Sequence, residues 1–451
     1  MPVSSCEAWK RELDRFLAPF LRRYERAAQR RWAPVYVQGL IGPGERKSVT
    51  PMAQRLAPGD SDQLHHFIAV SPWALAPLGE ALVRQADRRV GGDSAVLVVD
   101  DTALIKKGTH SVGVAAQYCG VLGKTANCQV LVSLTLAQDE VPMPVGLRLF
   151  LPAAWAQDGA RRAKAGVPVA IEGQPKWRIA LDEIDRVVRA GARFGCVVGD
   201  AEYGKVGAFR HGLGQRGHRY ALAILPSQGL YPAAVQLRAP TTKRAKHPRV
   251  SAAPVSAAAF IKALPDRAWR TLAWRQGTKG KLRARFAARR VRPADGPAMS
   301  SKRHQPGNEA WLVCEERRDG ARTYYLSNLP AGLSRRALVR WIKARWVCEQ
   351  AHQQMKDELG LDHFEGRSWQ GLHHHALMTM IAFAFLQQRR LAQARKAAQK
   401  NHGTAKRGPA AAPLAARRAA PGSRGIDTPR APMSALSSAH RLPATPMSVP
   451  K

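Results

Sequence analysis

The stretch VLVVDDTALIKKG, residues 96–108, decides the fold class of this chain. Four aliphatic residues, typical of a buried strand, run directly into two adjacent carboxylates, Asp100 and Asp101. A buried strand that ends in paired negative charge is costly unless a cation compensates for that charge. The stretch therefore predicts a strand whose end carries either an ion pair or a chemical site.

The same pattern returns about a hundred residues later. GCVVGDAEYG, residues 195–204, is a second apolar strand that ends in a carboxylate, Asp200. Between the two lie β-type segments, SVGVAAQY, NCQVLVSLTLA and VPMPVGLRLFLP, and a helical segment, PKWRIALDEIDRVVRAG. This order of elements, with strands first, then a helix and then a further strand, predicts an α/β fold with a ribonuclease-H-like layout. In an open α/β sheet, active sites collect at the carboxyl ends of the strands, where both aspartates are expected.

The rest of the chain is predicted to add domains around this core. Helical periodicity, β-type alternation and a change to an Ala/Pro/Arg-rich composition mark the boundaries. The N-terminal domain either contacts DNA or supports the next domain, and the C-terminal tail is expected to be disordered. The predicted segments are a helical N-terminal domain (1–90), the first part of a catalytic core (91–204), a β-rich insertion (205–332), the helical completion of the core (333–390) and a basic low-complexity tail (391–451).

The charge of the chain points to a polyanionic partner. Lys and Arg total 71 against 33 Asp and Glu, a formal net charge of +38. Nucleic acid is the default partner of such a protein, the alternative being an Arg-rich protein that is merely soluble. In the predicted insertion, Lys281, Arg283 and Arg285 alternate with apolar residues and form the cationic outer face of a half-buried strand.

The six cysteines and the hydropathy indicate a cytoplasmic protein without a membrane segment. No cysteines form a CxxC pair, and several lie inside apolar runs, so we expect reduced, buried thiols. The N-terminus has no apolar signal-peptide region. The longest apolar run, near residues 376–386, is shorter than the roughly 20 residues that span a bilayer.

A third acid lies on a predicted helix in RWVCEQAHQQMKDELGL, residues 345–361. Arg345, Glu349, His352 and Lys356 have the spacing i, i+4, i+7, i+11 and share one helix face. The neighbouring stripe is apolar and is expected to pack on the sheet; its members are Ala344, Cys348, Ala351 and Met355. The polar stripe thus borders the buried face, where Glu349 can meet the two strand-end aspartates.

Three converging acids suit a hard cation. Mg²⁺ prefers carboxylates and water, and two such ions, roughly 4 Å apart, stabilise the attacking and leaving oxygens of a displacement at phosphorus. We therefore predict a two-Mg²⁺ site, in which Mn²⁺ can substitute, rather than an ion pair. The alternatives are a turn role for each aspartate and an i,i+4 salt bridge between Glu349 and Arg345. The run His373, His374, His375 is predicted to lie on a helix surface.

Three segments together resemble the DDE transposases of bacterial insertion sequences, and most closely the IS seven-hundred-one branch, which is related to the IS four group. They are VVDDTALIKKGTHSVGVAAQYCG, VVGDAEYG and RWVCEQAHQQMKDELGLDHFEGRSW. The resemblance implies a ribonuclease-H-like core with a β-rich insertion and a triad of Asp101, Asp200 and Glu349. In the related group the first aspartate directly precedes a threonine, which favours Asp101, with Asp100 as the alternative first ligand.

The resemblance also extends to a signature of the related group, Tyr-x2-Arg-x3-Glu-x6-Lys. Arg345, Glu349 and Lys356 stand at those spacings, while Ile342 stands in place of the tyrosine. By this resemblance, Arg345 and Lys356 hold DNA phosphates near the scissile bond. Lys106 and Lys107, in the first motif, are further expected DNA contacts.

The function that the resemblance implies is cutting and joining of DNA. Water activated by Mg²⁺ frees a 3′ hydroxyl at the element's end, and this hydroxyl attacks target DNA. The insertion's cationic strand would follow the backbone of double-stranded DNA, and Trp269 or Trp274 would stack on an unpaired base unless it belongs to the core. We expect a homodimer on DNA in the bacterial nucleoid. The alternatives are a nuclease without strand transfer and a catalytically inactive DNA-binding regulator.

Overall fold

Residues 5–90 are largely helical in the computed structural model, which describes residues 5–239, 248–277, 280–300 and 303–405. Leu13, Phe16 and Phe20, which recur at helical spacing, are buried. The helices share one hydrophobic core with the central sheet and the last helix of the chain. Their bounds are α1 (Ser5–Leu21), α2 (Ala27–Ile41), α3 (Val49–Leu56), α4 (Ser61–Ala69) and α5 (Leu75–Val90).

The next segment builds the middle of a mixed sheet. Strand β1 pairs antiparallel with β3 and parallel with β5. β1 continues past the aspartate pair to Ile105, because β3 is long enough to pair with it as far as Cys128. Asp100 and Asp101 therefore lie inside a strand, and the prediction that they end it was wrong. The elements are β1 (Gly92–Ile105), β2 (Ala115–Cys119), β3 (Lys124–Gln138), β4 (Val141–Leu149), α6 (Ala153–Ala156), α7 (Gly159–Lys164), α8 (Lys176–Arg189) and β5 (Phe194–Gly199).

The β-rich segment that follows extends the same sheet. After α9 (Ala201–Gly204) and α10 (Gly207–Gln215), strand β6 (Tyr220–Ile224) pairs parallel with β5. The strands of the predicted insertion then join through β16, which pairs antiparallel with β6. The strands that do so are β7 (Gly229–Pro232), β10 (Val255–Ser256), β11 (Trp269–Gly277), β12 (Gly280–Pro293), β15 (Ala310–Glu316) and β16 (Arg322–Ser327). Two separate two-stranded sheets, β8 (Leu237–Arg238) with β9 (Arg249–Val250) and β13 (Ala298–Ser300) with β14 (Arg303–His304), and the helix α11 (Ala257–Lys262) lie among them.

One large sheet thus organises the described chain. Twelve strands take part, in the order β10-β7-β12-β15-β16-β6-β5-β1-β3-β2, with β11 on β12 and β4 on β3. β15 and β16 form a hairpin around Asp319 and Gly320, since Glu316 pairs with Arg322 and Gly320 has a φ of 79°. The fold is mixed α/β, as predicted, but no break in the sheet separates the insertion strands from the core strands.

Three helices close the described part: α12 (Arg335–Lys343), α13 (Trp346–Asp357) and α14 (Trp369–Ala405). The Ser334 side chain caps α12 by accepting a hydrogen bond from the Ala337 amide at 3.2 Å. α14 continues well beyond the predicted boundary at residue 390, and the predicted tail from residue 406 onward lies outside the described residues. None of the helices in the described ranges combines the length and hydropathy that a membrane crossing needs.

The three consecutive histidines of α14 are buried, so their predicted surface position was wrong. α14 is covered on several sides, by the N-terminal helices and by β4, so even its polar residues face protein. Each ring finds hydrogen-bond partners there. Nδ1 of His373 lies 2.8 Å from the Trp369 carbonyl oxygen, and Nδ1 of His375 lies 2.8 Å from the Tyr36 hydroxyl. The run is part of the core and does not form a metal site.

Five cysteines have described side chains, and all five are buried and free, which confirms the expectation of reduced, buried thiols for these positions. They are Cys119, Cys128, Cys196, Cys314 and Cys348.

Gly204, at the end of α9, allows a close contact between α9 and β6 that a side chain at this position would prevent. A Cβ atom there would lie 1.8 Å from the Ala223 carbonyl oxygen of β6. Gly204→Ala is therefore expected to lower the free energy of unfolding by about 1–3 kcal/mol, measured by urea denaturation. Gly214→Ala in α10 is the control, because no atom lies within 4 Å of its Cβ position. Equal losses in the two variants would contradict this packing.

Candidate active site

The register between β1 and β5 brings two of the predicted acids together. Val98 pairs with Val198 and Val99 with Gly199, so Asp100 and Asp200 follow at equivalent positions. Residues that pair in parallel strands point to the same face of the sheet. On this face the preceding residues, Val96, Val98, Cys196 and Val198, pack in one cluster with Val347 and Cys348 of α13. Asp100 continues that row beneath α13, the helix that also carries Glu349.

Arg345 joins the acids of this face. It occupies the N-cap position of α13, and its Nη1 donates to Oδ2 of Asp100 at 2.8 Å. Its Nη2 donates to Oε1 of Glu349, one helical turn along. The Asp100 side chain is 11% exposed, whereas that of Glu349 is 58% exposed. One guanidinium therefore bridges a buried carboxylate and a carboxylate that faces solvent.

The charge of Arg345 does not fully compensate for these carboxylates. Burial raises the pKa of Asp100 to about 7, Arg345 opposes that rise, and Asp200 adds to it. Burial also raises the pKa of Asp200, again opposed by Arg345. Oδ1 of Asp200 accepts hydrogen bonds from the amides of Glu202 at 3.0 Å and Tyr203 at 3.4 Å, which cap α9. Protein cations therefore neutralise the carboxylates on this face of the sheet only in part.

Asp101 points to the other face of the sheet and has different partners. Its Oδ2 accepts a hydrogen bond from Nζ of Lys176 at 2.6 Å, and its Oδ1 accepts one from the Tyr203 hydroxyl at 2.6 Å. Burial, together with Asp101, raises the pKa of Tyr203 well above its usual value. The geometry therefore does not support the preference for Asp101 as the partner of Glu349; it favours the alternative, Asp100. Tyr203 lies in the quoted segment VVGDAEYG, but no sequence signal marked it or Lys176 as a partner of Asp101.

The structure shows what compensates for the paired negative charge of Asp100 and Asp101. Each aspartate has a protein cation of its own, Arg345 for Asp100 and Lys176 for Asp101. Ion pairs therefore supply part of the compensation, and the metal site at these carboxylates stays a prediction. The raised pKa of Asp100 shows that this compensation is incomplete.

The two stripes predicted on α13 are only partly confirmed. Cys348, Ala351 and Met355 are buried, as expected. His352, assigned to the polar stripe, is also buried, and its Nε2 lies 3.4 Å from Sγ of Cys348. Burial lowers the pKa of His352 to about 3, so its ring is neutral. Helical spacing alone could not reveal this, because the sheet covers a wider arc of the helix than one stripe.

The predicted DNA-contacting cations on the core have unequal environments. Lys356 lies roughly 16 Å from Arg345 along the helix axis and is partly buried, which lowers its pKa. Nζ of Lys106 donates to the Phe364 carbonyl oxygen at 2.8 Å, whereas the Lys107 side chain is exposed. Arg345 is therefore the only one of these four in contact with the candidate acids.

The cations of the predicted insertion strand also divide into two kinds. Lys281 and Arg283 on β12 are exposed. Arg285 instead forms ion pairs with Asp266 and, at 2.9 Å, with Glu316. A guanidinium that is already paired with carboxylates attracts a DNA phosphate less strongly. Lys281 and Arg283 are therefore the stronger candidates for DNA contact.

A cavity of about 450 Å³ lies beside the start of α13, between β11 and α12. Trp274, Trp341 and Trp346 line it, and the Arg275 guanidinium lies 3.5 Å from the centre of the Trp346 ring. Trp269 is buried in another cluster and belongs to the core. Of the two tryptophans considered for base stacking, only Trp274 faces an open space.

Comparisons with known proteins identify the family of the chain. A family model described as "DDE superfamily endonuclease" matches residues 19–281, more than half of the 451-residue chain. The chain is also 27% identical over 169 residues to the "Probable transposase for insertion sequence element IS701" of Microchaete diplosiphon. That alignment covers 38% of this chain and 42% of the relative, so the chain spans less than half of the relative's length.

Removal of Arg345 should destabilise the protein in a pH-dependent way. In Arg345→Met, ionised Asp100 loses its partner, so at pH 8 we expect a loss of about 3 kcal/mol in the free energy of unfolding. The loss should be smaller at pH 5, because Asp100, with its pKa of about 7, is then protonated in the folded state and pairs only weakly with Arg345. Urea denaturation at both pH values measures the difference.

Arg340→Met serves as the control for that measurement. Arg340 pairs with Asp139 at 3.0 Å, and both side chains are about two-thirds exposed. Its loss should cost less than about 1 kcal/mol at either pH. Equal losses at pH 5 and pH 8 in Arg345→Met would show that Asp100 does not depend on this guanidinium.

Proposed function

Because the chain belongs to the DDE superfamily of endonucleases, we propose that it is a transposase that cuts the ends of an insertion sequence and joins them to target DNA. The observation that carries the proposal is the grouping of Asp100, Asp200 and Glu349 around Arg345 on one face of the sheet. The similarity to an insertion-sequence transposase supports the same reading. Double-stranded DNA, as element end and as target, is the substrate.

We propose a ribonuclease-H-like core for this enzyme. In support, β1, β5 and β6 run parallel, while β3 continues the sheet antiparallel on the far side of β1. The strands of residues 205–332 would be an insertion that enlarges the core sheet. Helices α1–α5 would support the core, since they share its hydrophobic cluster. Residues 406–451 remain a proposed basic extension.

DDE nucleases generally use divalent metal ions, and we propose Mg²⁺, as a pair of ions for which Mn²⁺ can substitute. The residues fit such a cation, because buried Asp100 and partly buried Asp200 both have raised pKa values, as expected of carboxylates short of positive charge. Glu349 would be the third ligand and is open to solvent. When bound, Mg²⁺ would polarise the phosphodiester and lower the pKa of water for attack at phosphorus.

The chain's own groups would prepare the site and hold the DNA. Arg345 has a fork of donors, so it can release a carboxylate and turn to a phosphate oxygen without moving its backbone. Lys176 and Tyr203 would hold Asp101 away from the reacting face, which leaves Asp100 beside Asp200. Lys356, Lys106, Lys107, Lys281, Arg283 and Arg285 would contribute to the positive field that attracts DNA.

The assembly would be a homodimer, because two element ends must be cut together. The net charge of +38 supports residence on nucleic acid, and we propose the bacterial nucleoid within the cytoplasm. A nuclease of the same core without strand transfer would use the same residues. Formation of a covalent product between element end and target DNA separates the two.

The central test is cleavage and joining of a duplex that carries the element's own end, with Mg²⁺. Asp200→Ala and Glu349→Gln should lower the cleavage rate at least about 1,000-fold, since a divalent ion contributes several kcal/mol to the transition state. DNA affinity should stay within a few-fold of the wild type. Glu358→Gln, at the other end of α13, is the control and should cleave normally. Tight binding without cleavage by the wild-type protein would instead favour an inactive regulator.

The choice between the two adjacent aspartates has its own test. Asp100→Asn should abolish Mg²⁺-dependent cleavage, because Asp100 shares a face with Asp200 and Glu349. Asp101→Asn should retain measurable cleavage, because the Lys176 and Tyr203 contacts fix that side chain on the opposite face. Cleavage rates under identical conditions compare the two. The reverse order of effects would restore Asp101 as the first ligand.

A further inference from the structure

Asp100, Cys348 and His352 form a compact group that the proposed cleavage chemistry does not use as a unit. Cys348 and His352 lie one turn apart on α13, above Asp100. One potential ligand atom from each of the three lies within 4.8 Å of the others, and all three residues are buried. Sγ of Cys348 and Nε2 of His352 are 3.4 Å apart. Elsewhere in the described ranges no comparable group of His, Cys, Asp and Glu occurs.

We propose that these three residues form a binding site for Zn²⁺ or a similarly soft divalent transition metal. Thiolate and imidazole ligands select such metals, whereas Mg²⁺ prefers oxygen ligands alone. Three protein ligands leave the fourth tetrahedral position to solvent. The site is chemically different from the carboxylate site of Asp200 and Glu349, although it shares Asp100 with that site.

The charges balance when the metal binds. Cys348 loses its thiol proton to solvent on coordination, as metal-binding thiols do. The thiolate and the Asp100 carboxylate then carry two negative charges, which a divalent ion cancels, and the His352 ring remains neutral. Asp100 would exchange its ion pair with Arg345 for the metal, while Arg345 keeps Glu349 as a partner. The metal and its three ligands together therefore carry no net charge.

Burial raises the pKa of the Cys348 thiol, and two hydroxyl groups beside the sulfur oppose that rise. The Thr135 hydroxyl lies 3.4 Å from Sγ of Cys348, and the Ser133 hydroxyl lies 3.9 Å from it. Ser133 also donates to the Asp100 carbonyl oxygen at 3.0 Å, which orients the strand beside the site. The Thr135 hydroxyl can therefore donate to a ligand sulfur, and such outer-shell hydrogen bonds orient the ligands of transition-metal sites.

Occupation of this site would inhibit the enzyme, a consequence that rests on the proposed function. A soft metal on Asp100 would remove that carboxylate from the Mg²⁺ site. Micromolar Zn²⁺ would then block cleavage in excess Mg²⁺, and a chelator specific for Zn²⁺ would restore it.

The binding test does not depend on activity. Co²⁺ added to the full-length wild-type protein should produce the near-ultraviolet charge-transfer absorption of a thiolate–cobalt bond, and Cys348→Ser should abolish it. Cys348→Ser and His352→Gln should each weaken Zn²⁺ affinity at least about 100-fold, since loss of even an outer-shell partner costs about 10- to 100-fold. Cys196→Ser is the control, because Cys196 is equally buried in the same cluster but outside this group.

The outcomes separate this site from the proposed function. Absence of the absorption in the wild type, or full Zn²⁺ affinity in Cys348→Ser, would overturn the site. Zn²⁺ should inhibit cleavage by the wild type and by Cys196→Ser, and should not inhibit Cys348→Ser. Inhibition that persists in Cys348→Ser would overturn the inhibitory role. A protein that binds Co²⁺ through Cys348 and never cleaves DNA would leave the metal site standing and refute the proposed function alone.

Discussion

Strands β1 and β5 pair in parallel with Val99 opposite Gly199, and this register carries Asp100 and Asp200 to the same face of the sheet. Side chains alternate along a strand, so a slip of one residue would move Asp100 to the other face and bring Asp101 in its place. The aliphatic residues before each aspartate oppose such a slip, because Val96, Val98 and Val198 are buried under α13. The position of the acids is therefore a consequence of core packing.

The buried charges of the site are distributed between two faces. Asp100 depends on Arg345 from α13, and Asp101 depends on Lys176 at the start of α8. An isolated buried carboxylate would take up a proton, and the raised pKa of Asp100 shows that one guanidinium shared with Glu349 only partly prevents this. The same deficit makes the face receptive to a cation. Carboxylates alone would favour Mg²⁺ at this position, whereas Cys348 and His352 add ligands that favour a soft cation.

Continuity of the sheet connects the site to the rest of the molecule. The strands of residues 205–332 reach the site through β16 and β6, and β6 lies next to β5. DNA held on the exposed cations of β12 would therefore be held by the same rigid sheet that carries Asp100 and Asp200. On the opposite face, α14 joins the sheet to α1–α5 through a shared core. The buried histidines of α14 show how thoroughly that helix is enclosed.

The sequence by itself determined the class of the fold and the family, and it marked the candidate acids. These conclusions rest on local or compositional features, which can be read without knowledge of the fold. They are the apolar runs before Asp100 and Asp200, the spacing of Arg345 and Glu349, and the charge balance. Only the tertiary structure decided which aspartate faces Glu349. It also decided that His352 turns inward to Cys348 and that Lys176 compensates Asp101. Those outcomes depend on strand register and on the arc of α13 that the sheet covers, and neither is encoded by spacing along one segment.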